Sequence, residues 1–331
     1  MTDVQFGVLM PHFTQHASME LLTEGARMVD AFGFGSVWVR DHLFISPDHR
    51  EHGGISDPGF ITEATLTLAA LGAITSHVAL GAAIVTPHRH AMKVAQLFAT
   101  LDYMSAGRAI LGIGLGWDVH EFAAVEMPFD AREQLVRETV AVCRRAWSEP
   151  EFSFEGEQFT IPYGSVNPRP VNGDIPVWYG GLAFKGVALA AEFCDGWIPS
   201  RMPYDRLEPR IARAKELRAA NGRADTPFTF AAMPQTSVGA SAADAIAGFN
   251  LDKVKAEALH RKPVGGGRKS LTNEDLEGYL IWGNGADLCR YVERFIELGI
   301  THIVFDMRSS FDRFLDSVRV LGTEVIPEFR S

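Results

Sequence analysis

The stretch RAILGIGLGW, from Arg108 to Trp117, decides how the chain is organised. Its first half is short, apolar and typical of a buried β-strand, whereas glycine occupies every second position of its second half. A strand with glycines at its C-terminal end lets another backbone or a flat group approach closely, because glycine has no side chain. The stretch therefore predicts a strand that ends at an open site, with glycines at the point of approach.

Seven further apolar runs of strand length recur along the chain, and most are followed by a helical pattern. With the stretch above, the predicted strands are 4–10, 36–39, 78–85, 108–114, 175–179, 196–198, 228–233 and 301–306. Strict alternation of strand and helix requires parallel pairing, and eight parallel strands close into a barrel that leaves no edge. The sequence therefore predicts an α/β fold, a single (β/α)8 TIM barrel over residues 1–331.

Two segments interrupt this alternation and are interpreted as insertions. Residues 152–161 alternate polar and apolar residues around Glu155-Gly156, which predicts a hairpin after the fourth helix. Residues 240–280, after the seventh strand, combine helical pieces with a basic glycine-rich turn. The loop 44–60 is long for a strand-to-helix connection and is a candidate lid.

Composition excludes several classes of partner. The 331 residues carry a formal charge of -10, which disfavours nucleic-acid binding, because phosphate backbones require clustered Lys and Arg. No apolar run is long enough to span a membrane, and the N-terminus lacks the features of a secretion signal. The three cysteines are far apart, so we expect reduced thiols in a cytoplasmic protein.

Reactive groups of such barrels lie where strands lead into helices, and Asp41-His42 directly follows the second strand. A histidine there can transfer a proton near neutral pH, with Asp41 orienting either His42 or nearby backbone. The alternative is a loop histidine bonded to backbone. Gly180-Gly181 before a helix predicts either phosphate binding at the helix N-terminus or a simple tight turn.

Two other readings of these motifs are disfavoured. The glycines of the 112–116 segment are followed by Trp117 rather than by the helix and third glycine of a dinucleotide fingerprint. These glycines either let the backbone approach a flat ring closely or clear room for the packing of the barrel itself. His88-Arg89-His90 resembles a metal pair, but no histidines complete a set on the fifth and sixth strands. We therefore expect no metal.

The strand ends, taken together, resemble the bacterial luciferase-like flavin and deazaflavin oxidoreductases and monooxygenases. Each matching segment is short, but their order and spacing are specific and cover nearly the whole chain. The segments are VRDHL (39–43), LGAAIVTP (80–87), ATLDYMSAGR (99–108), LGIGLGW (111–117) with Glu121-Phe122, FEG (154–156), PVWYGG (176–181) and DGW (195–197).

The resemblance implies a cofactor ring at the C-terminal mouth of the barrel, against the third and fourth strands. It implies a non-proline cis peptide at Ala83-Ile84 behind the ring and His42 as the proton-transferring residue. The implied cofactor contacts are Asp41, Ala83, Ile84, Gly114, His120 near the pyrimidine edge, and the phosphate loop Gly180, Gly181, Leu182 and Ala183. The implied substrate pocket comprises His12, Phe13, Trp117 and Trp197.

The resemblance leaves three functions open. The subgroup pattern favours hydride transfer between the deazaflavin F420 and a small apolar organic substrate; the alternatives are a two-component monooxygenase using reduced FMN and O2, and a non-catalytic flavin-binding subunit. Trp117 stands where sugar-phosphate and alcohol-oxidising members carry a glutamate, which disfavours those substrates. We expect a separate reductase or dehydrogenase to supply reduced cofactor. The resemblance also implies a homodimer through the second and third helices, which the apolar run 66–71 on the second helix permits.

Overall fold

A computed structural model describes residues 4–46, 60–247 and 251–330. Eight strands form a closed barrel in the order β1-β12-β9-β8-β7-β4-β3-β2, and every neighbouring pair is parallel. The predicted TIM barrel is thus confirmed, and each barrel strand lies within a predicted one. The barrel strands are β1 (Gln5–Leu9), β2 (Ser36–Val39), β3 (Ala79–Ala82), β4 (Ala109–Ile113), β7 (Val177–Tyr179), β8 (Gly196–Trp197), β9 (Thr229–Ala232) and β12 (His302–Phe305).

Helices surround the barrel and carry their apolar faces inward. In α11, for example, Leu288, Val292 and Phe295 recur at helical spacing and are fully buried, and the side chain of Asn284 caps the first turn. The α-helices are α1 (Met19–Ala31), α2 (Ala64–Gly72), α3 (Ala91–Met104), α4 (Val119–Ala124), α5 (Arg132–Ser148), α6 (Phe184–Phe193), α7 (Tyr204–Ala220), α8 (Ala242–Ala247), α9 (Leu251–His260), α10 (Lys262–Gly265), α11 (Gly285–Glu297) and α12 (Phe314–Val320).

Side chains fill the interior of the barrel below its mouth. Trp38 is fully buried and lies 5.1 Å from the ring of Trp178. A Cβ at Gly81 would stand 2.4 Å from the Trp38 ring, so only glycine leaves room for it. His302 lies in the same layer, with its Nε2 2.7 Å from Ser36 Oγ. Ligands therefore meet the barrel at its ends.

The predicted hairpin is present as β5 (Phe152–Glu155) and β6 (Thr160–Gly164), which pair antiparallel. Its turn is fixed to α5 by the carboxylate of Glu138, which accepts hydrogen bonds from the backbone N–H groups of Glu157, Gln158 and Phe159. The hairpin packs on the outer helices, and Phe159 in its turn lies 4.9 Å from the ring of His90, the N-cap residue of α3.

The longer insertion contains a small sheet that the sequence reading missed. Strand β10 (Gln235–Val238) pairs in parallel with β11 (Leu280–Gly283), and helices α8 to α10 lie between the two strands in the sequence. The insertion is therefore framed by strands, and it has its own apolar cluster: Val254, Ala258, Val264, Leu271, Leu276, Tyr279 and Leu280. The run Leu280-Ile281-Trp282 before Gly283 is the signal that could have indicated β11.

Two other expectations concern the chain as a whole. No helix of the described residues combines the length and apolar character needed to cross a bilayer. Cys143, Cys194 and Cys289, all within the described ranges, are free thiols. Most of the candidate lid, residues 47–59, lies outside the described residues.

Candidate functional site

The end of β3 bulges toward β4, as the resemblance implied. The peptide bond between Ala83 and Ile84 is cis. A Cβ at Gly114 would lie 1.9 Å from Ile84 Cδ1, and one at Gly180 would lie 2.4 Å from Ile84 Cγ2. The glycines after β4 and β7 therefore make room for the side chain of Ile84. Of the two roles expected for the glycines after β4, this contact fits packing of the barrel itself. The cofactor contacts of Ala83, Ile84 and Gly114 stay predictions.

Two side-chain hydrogen bonds hold the backbone of the loop that leads from β7 into α6. Trp197 Nε1 donates to the carbonyl of Gly181 at 2.8 Å, and Arg210 Nε donates to that of Leu182 at 2.7 Å. Ala183 occupies the N-cap of α6 without a side-chain hydrogen bond to the helix. The first N–H groups of α6 are thus not satisfied by a capping side chain, which suits an anion such as a phosphate.

His42 is held between an anion and a cation. Its Nδ1 lies 3.1 Å from Glu121 Oε2, and its Nε2 lies 3.2 Å from Arg40 Nη2. Arginine is always a donor, so Nε2 accepts and Nδ1 carries the proton of a neutral imidazole. Burial, and then the charge of Arg40, lower the pKa of His42 from 6.5 to about 3. Its side chain is 11% exposed, so it still meets the mouth.

Glu121, on α4, is the partner that sequence reasoning missed. It is 1% exposed, and burial raises its pKa. Besides contacting His42, it accepts the backbone N–H of Leu43 at 2.6 Å. Asp118 adds a second link, because Ser46 Oγ donates to its carboxylate at 2.5 Å. Helix α4 therefore holds the segment after β2 and orients the imidazole.

The carboxylate of Asp41 is bound by Arg89. Two guanidinium nitrogens of Arg89 reach its carboxylate oxygens at 2.5 and 2.7 Å, and the Thr86 N–H lies 3.3 Å away. Of the two roles expected for Asp41, orienting His42 or holding backbone, the geometry fits the second. The carboxylate holds the segment that follows the cis peptide, and its role toward a cofactor stays a prediction.

The residues implied for the substrate pocket divide into two groups. His12, Phe13 and Trp197 are fully buried, whereas Trp117 is 48% exposed. His12 Nε2 accepts the backbone N–H of Arg40 at 2.8 Å, and burial and then Arg40 lower the pKa of His12 to about 3. The buried three support the walls of the mouth. Trp117 and the exposed His120 stand at its surface.

The mouth also contains charges that sequence reasoning did not connect with the site. The guanidinium carbons of Arg40 and Arg308 lie 5.0 and 5.9 Å from the centre of the Phe13 ring. Asp306, expected at the end of the eighth strand, forms an ion pair with Arg308 at 2.5 Å. No group of three or more His, Cys, Asp or Glu side chains suited to a metal occurs within residues 4–46, 60–247 and 251–330.

Comparison with known proteins gives the family. The family model of the luciferase-like monooxygenases matches residues 4–302. A glucose-6-phosphate dehydrogenase from Microbacterium testaceum, named as F420-dependent, is 30% identical over 188 residues, 56% of this chain and 53% of that protein.

Solved structures share the fold at lower identity. The F420-dependent tetrahydromethanopterin reductase of Methanopyrus kandleri has a TM-score of 0.79 at 22% identity, covering 99% of this chain and 100% of that one. The oxygenating constituent of 3,6-diketocamphane monooxygenase from Pseudomonas putida, in complex with FMN, has a TM-score of 0.75 at 15% identity, covering 98% of this chain and 99% of that one. The chain belongs to the luciferase-like monooxygenase family and is an oxidoreductase.

Proposed function

We propose that this oxidoreductase transfers a hydride between the deazaflavin F420 and a small organic substrate. The observation that carries the proposal is His42, a neutral imidazole fixed by Glu121 and facing the mouth. Hydride transfer to or from a carbon of the substrate is coupled to the movement of a proton at a neighbouring atom, and a positioned imidazole can supply that movement. The 30% identical relative named as F420-dependent supports the choice of cofactor.

The residues present fit such a cofactor. Its ring would rest on the half-exposed Ala83-Ile84 segment, and its phosphate would accept hydrogen bonds at the start of α6. Trp197 and Arg210 hold that loop through the carbonyls of Gly181 and Leu182, whereas the N–H of Gly180 donates to the Ile113 carbonyl at 2.8 Å. When bound, the deazaflavin supplies the hydride chemistry, and the protein supplies orientation and proton transfer.

His42 would act at Nε2. Because Nδ1 donates to Glu121, Nε2 carries the lone pair that can accept a proton; in this structure it accepts a hydrogen bond from Arg40, which a substrate would have to replace. In the oxidative direction Nε2 would accept the proton released at the atom next to the reacting carbon. Glu121 would stabilise the resulting imidazolium, since its carboxylate already faces Nδ1. In the reductive direction the imidazolium would return the same proton to that atom.

Two other functions remain candidates. An FMN-bound monooxygenase shares the fold, which favours a two-component oxygenase that receives reduced FMN and inserts one atom of O2. A non-catalytic flavin-binding subunit would have no need of the buried His42–Glu121 pair. A titration separates these functions: the protein is mixed with F420 and with FMN, and quenching of each fluorescence is followed.

Tighter binding of F420, with turnover that persists without O2, is the expected result. Tighter FMN binding with O2-dependent product would replace the proposal by the monooxygenase. Binding of either cofactor without turnover over a broad panel of alcohols and carbonyl compounds would favour the non-catalytic subunit.

The proposal includes partners. A separate F420-reducing or FMN-reducing enzyme would regenerate the cofactor. A homodimer would cover part of α2, where Leu66 is 72% exposed although Leu68 and Leu71 are buried against the barrel. A dimeric mass by light scattering after size exclusion is expected, with dissociation on Leu66→Asp. A single-chain mass for the wild type would refute the dimer.

A further inference from the structure

Arg210, on α7, is a buried cation whose hydrogen bonds go to backbone carbonyls. Its side chain is largely withdrawn from water, since the residue is 5% exposed. Nε donates to the carbonyl of Leu182 at 2.7 Å, Nη1 to that of Arg206 at 2.9 Å and Nη2 to that of Pro263 at 3.4 Å. A planar guanidinium that donates to several main-chain acceptors fixes the segments that supply them relative to one another.

The three carbonyls belong to three different segments of the fold. Leu182 lies in the loop between β7 and α6, Arg206 lies one turn earlier on α7, and Pro263 lies in α10 of the insertion. Arg210 therefore joins the insertion to the loop that we expect to bind the cofactor's phosphate. The distances show a closer attachment to this loop than to the insertion.

Two apolar contacts join the same segments. The guanidinium carbon of Arg210 lies 4.5 Å from the centre of the ring of Phe184, the first residue of α6. Leu182 is half-buried and packs on both the core of the barrel and the apolar cluster of the insertion, which includes Val264 beside Pro263. The start of α6 is thus attached to the insertion by hydrogen bonds, a cation–π contact and a shared apolar core.

The start of α6 has little support of its own. Ala183 at the N-cap makes no side-chain hydrogen bond to the helix, and the loop begins with Gly180 and Gly181, the residue type that loses most conformational freedom when it is fixed. A phosphate at a helix start is bound by backbone N–H groups, whose directions follow the conformation of the loop. Fixing the loop beforehand therefore lowers the ordering cost of binding the phosphate.

We propose that Arg210 is a positioning residue for the cofactor's phosphate. It fixes the loop before α6 against the insertion, so that the packing of the insertion affects the affinity for the phosphate but not for the ring. The inference rests on the proposed function, because it requires a phosphate at the start of α6. It gives the insertion a part in cofactor binding that acts through Leu182 and Pro263.

The test compares ligands with and without the phosphate by fluorescence titration. FMN and riboflavin differ by the phosphate alone, and F420 is compared with its deazaflavin chromophore, which lacks the phosphate and the acidic tail. Arg210→Gln should bind FMN and F420 about tenfold more weakly than the wild type does, because the N–H groups of the loop are no longer held in place. Riboflavin and the chromophore should bind as they do to the wild type.

Arg218→Gln is the matched control on the same helix. Arg218 is 3% exposed, its guanidinium carbon lies 4.2 Å from the centre of the Phe228 ring, and Nη2 donates to the carbonyls of Arg223 and Thr226. Both substitutions should lower the midpoint of urea unfolding, since each removes a buried, hydrogen-bonded group. Only Arg210→Gln should change the preference for FMN over riboflavin, so a merely structural role of Arg210 would leave the two variants alike.

Arg210→Lys separates position from charge. The lysine keeps the positive charge but loses the planar fork that reaches the carbonyls of Leu182 and Pro263. It should therefore weaken FMN and F420 nearly as much as Arg210→Gln does. Wild-type affinity for both ligands in Arg210→Lys would show that the charge serves the phosphate, and the proposal would fail.

Val264→Ala tests the part of the insertion and covers the case in which the Arg210 variants do not fold. Val264 is fully buried, and its truncation loosens the cluster on which Leu182 packs. FMN and F420 should bind about threefold more weakly, with riboflavin unchanged. Val292→Ala makes the same deletion at a fully buried position of α11 and is the control. A phosphate affinity that falls equally in both variants, or in neither, overturns the proposal.

The wild type separates this inference from the proposed function. If it binds FMN but neither F420 nor the chromophore, the choice of the deazaflavin fails, whereas the comparison of FMN with riboflavin still tests Arg210. If the wild type binds FMN and F420 no more tightly than the phosphate-free ligands, or if Arg210→Gln keeps the wild-type preference, the positioning role of Arg210 is refuted.

Discussion

The two sides of the barrel mouth are built in opposite ways. On the side of β3, β4 and β7, the site is made by the absence of side chains: Gly114 and Gly180 admit Ile84, and the loop before α6 offers backbone N–H groups. On the side of β2, β8 and β12, it is made by buried charge, with Arg40, Arg201 and Arg308 close together. Shape alone suits a flat neutral ring, whereas concentrated charge shifts the pKa of a neighbouring imidazole.

The two sides meet at His42 and its partners Arg40 and Glu121, a group that we call the seam. His42 contacts Arg40 through Nε2 and Glu121 through Nδ1, and His12 accepts the N–H of Arg40. The charge of Arg40 therefore influences the protonation of His42, which we expect to meet the ligand. Substitutions on either side, and at the seam, test whether the division is real.

The largest effect is expected at the seam. Replacing His42 by alanine should lower turnover by about 10²- to 10⁴-fold, the range typical of losing a general acid or base. Cofactor affinity should change little, because the imidazole moves protons rather than holding the ring. The measurement is steady-state kinetics together with the fluorescence titration. Unchanged turnover would remove His42 from the mechanism.

Glu121→Gln is the companion variant at the seam. It keeps the shape of Glu121 but removes its charge. Turnover should therefore fall less than in His42→Ala, and the pH profile of turnover should shift. A merely structural role would leave the profile in place. Glu126→Gln is the control, because Glu126 is exposed near the end of the same helix.

Acid should destabilise the fold strongly, because burial keeps four histidines of the described residues neutral. It lowers the pKa values of His12, His42 and His302 from 6.5 to about 3, with Arg40 adding to the first two, and that of His88 to about 4. The folded protein then binds fewer protons than the unfolded chain. The stabilising contribution is fully present above pH 6.5 and is lost as the pH falls toward about 3.

Each such histidine contributes a slope of about 1.4 kcal/mol per pH unit within that window. Urea unfolding measured from pH 7 downward tests this slope. His302→Gln should flatten it by one histidine's share, because His302 lies among Trp38 and Trp178 in the barrel interior. A slope that is equal with and without His302 would contradict its neutral state.

On the glycine side, Gly114→Ala should lower the free energy of unfolding by about 1–3 kcal/mol, the usual cost of overpacking. Its new Cβ would meet Ile84 and also the carbonyl oxygen of Gly180, at 2.6 Å. Gly173→Ala is the control, since no atom lies within 4 Å of its Cβ and only its φ of +82° opposes alanine. If the ring rests here, Gly114→Ala alone weakens cofactor binding.

The charged side should act on the seam through Arg40. Replacing Arg40 by methionine should raise the pKa of His42 above about 3, because Arg40 is the main charge that lowers it after burial. An NMR titration of the imidazole measures this shift, and the surface variant Arg213→Gln should leave it in place. A His42 pKa that does not move would show that the two sides are electrostatically independent.

The smallest effect is expected beneath the phosphate loop. Trp197→Phe keeps an aromatic side chain but removes the hydrogen bond to Gly181, which alone costs about 0.5–1.5 kcal/mol, and the smaller ring adds the cost of a cavity at this buried position. Trp147→Phe is a matched control, since Trp147 Nε1 donates to Ala95 at 3.0 Å in the outer helices. Both variants should lose similar stability, but only Trp197→Phe should weaken the cofactor. Equal cofactor affinity in both would separate the loop from the phosphate.

Much of the glycine side could be read from the sequence because its signals are local. A strand that ends in alternating glycines, or a Gly180-Gly181 pair before a helix, carries its meaning within about ten residues. The cis peptide at Ala83-Ile84 came from a family resemblance rather than from local chemistry, and it is confirmed. Strand β11 was missed because its partner lies beyond three intervening helices.

The charged partners could not be read in the same way. Glu121 meets His42 across 79 positions and Arg89 meets Asp41 across 48. A lone Glu or Arg in a helix or loop is usually a solvated surface residue, so its type alone does not announce burial. The sequence left open whether Asp41 orients His42 or nearby backbone, and only the structure shows that Arg89 and the Thr86 N–H bind its carboxylate.

By itself, the sequence determined the eight-stranded parallel barrel and the strand ends at which a site must form. Periodicity and glycine placement express backbone geometry, which each segment dictates for itself. Only the tertiary structure decided which charges face one another, because a closed barrel brings the ends of distant strands to one mouth. Burial there makes His42 a neutral imidazole and brings Arg40 and Glu121 against its ring, and both are properties of the assembled mouth.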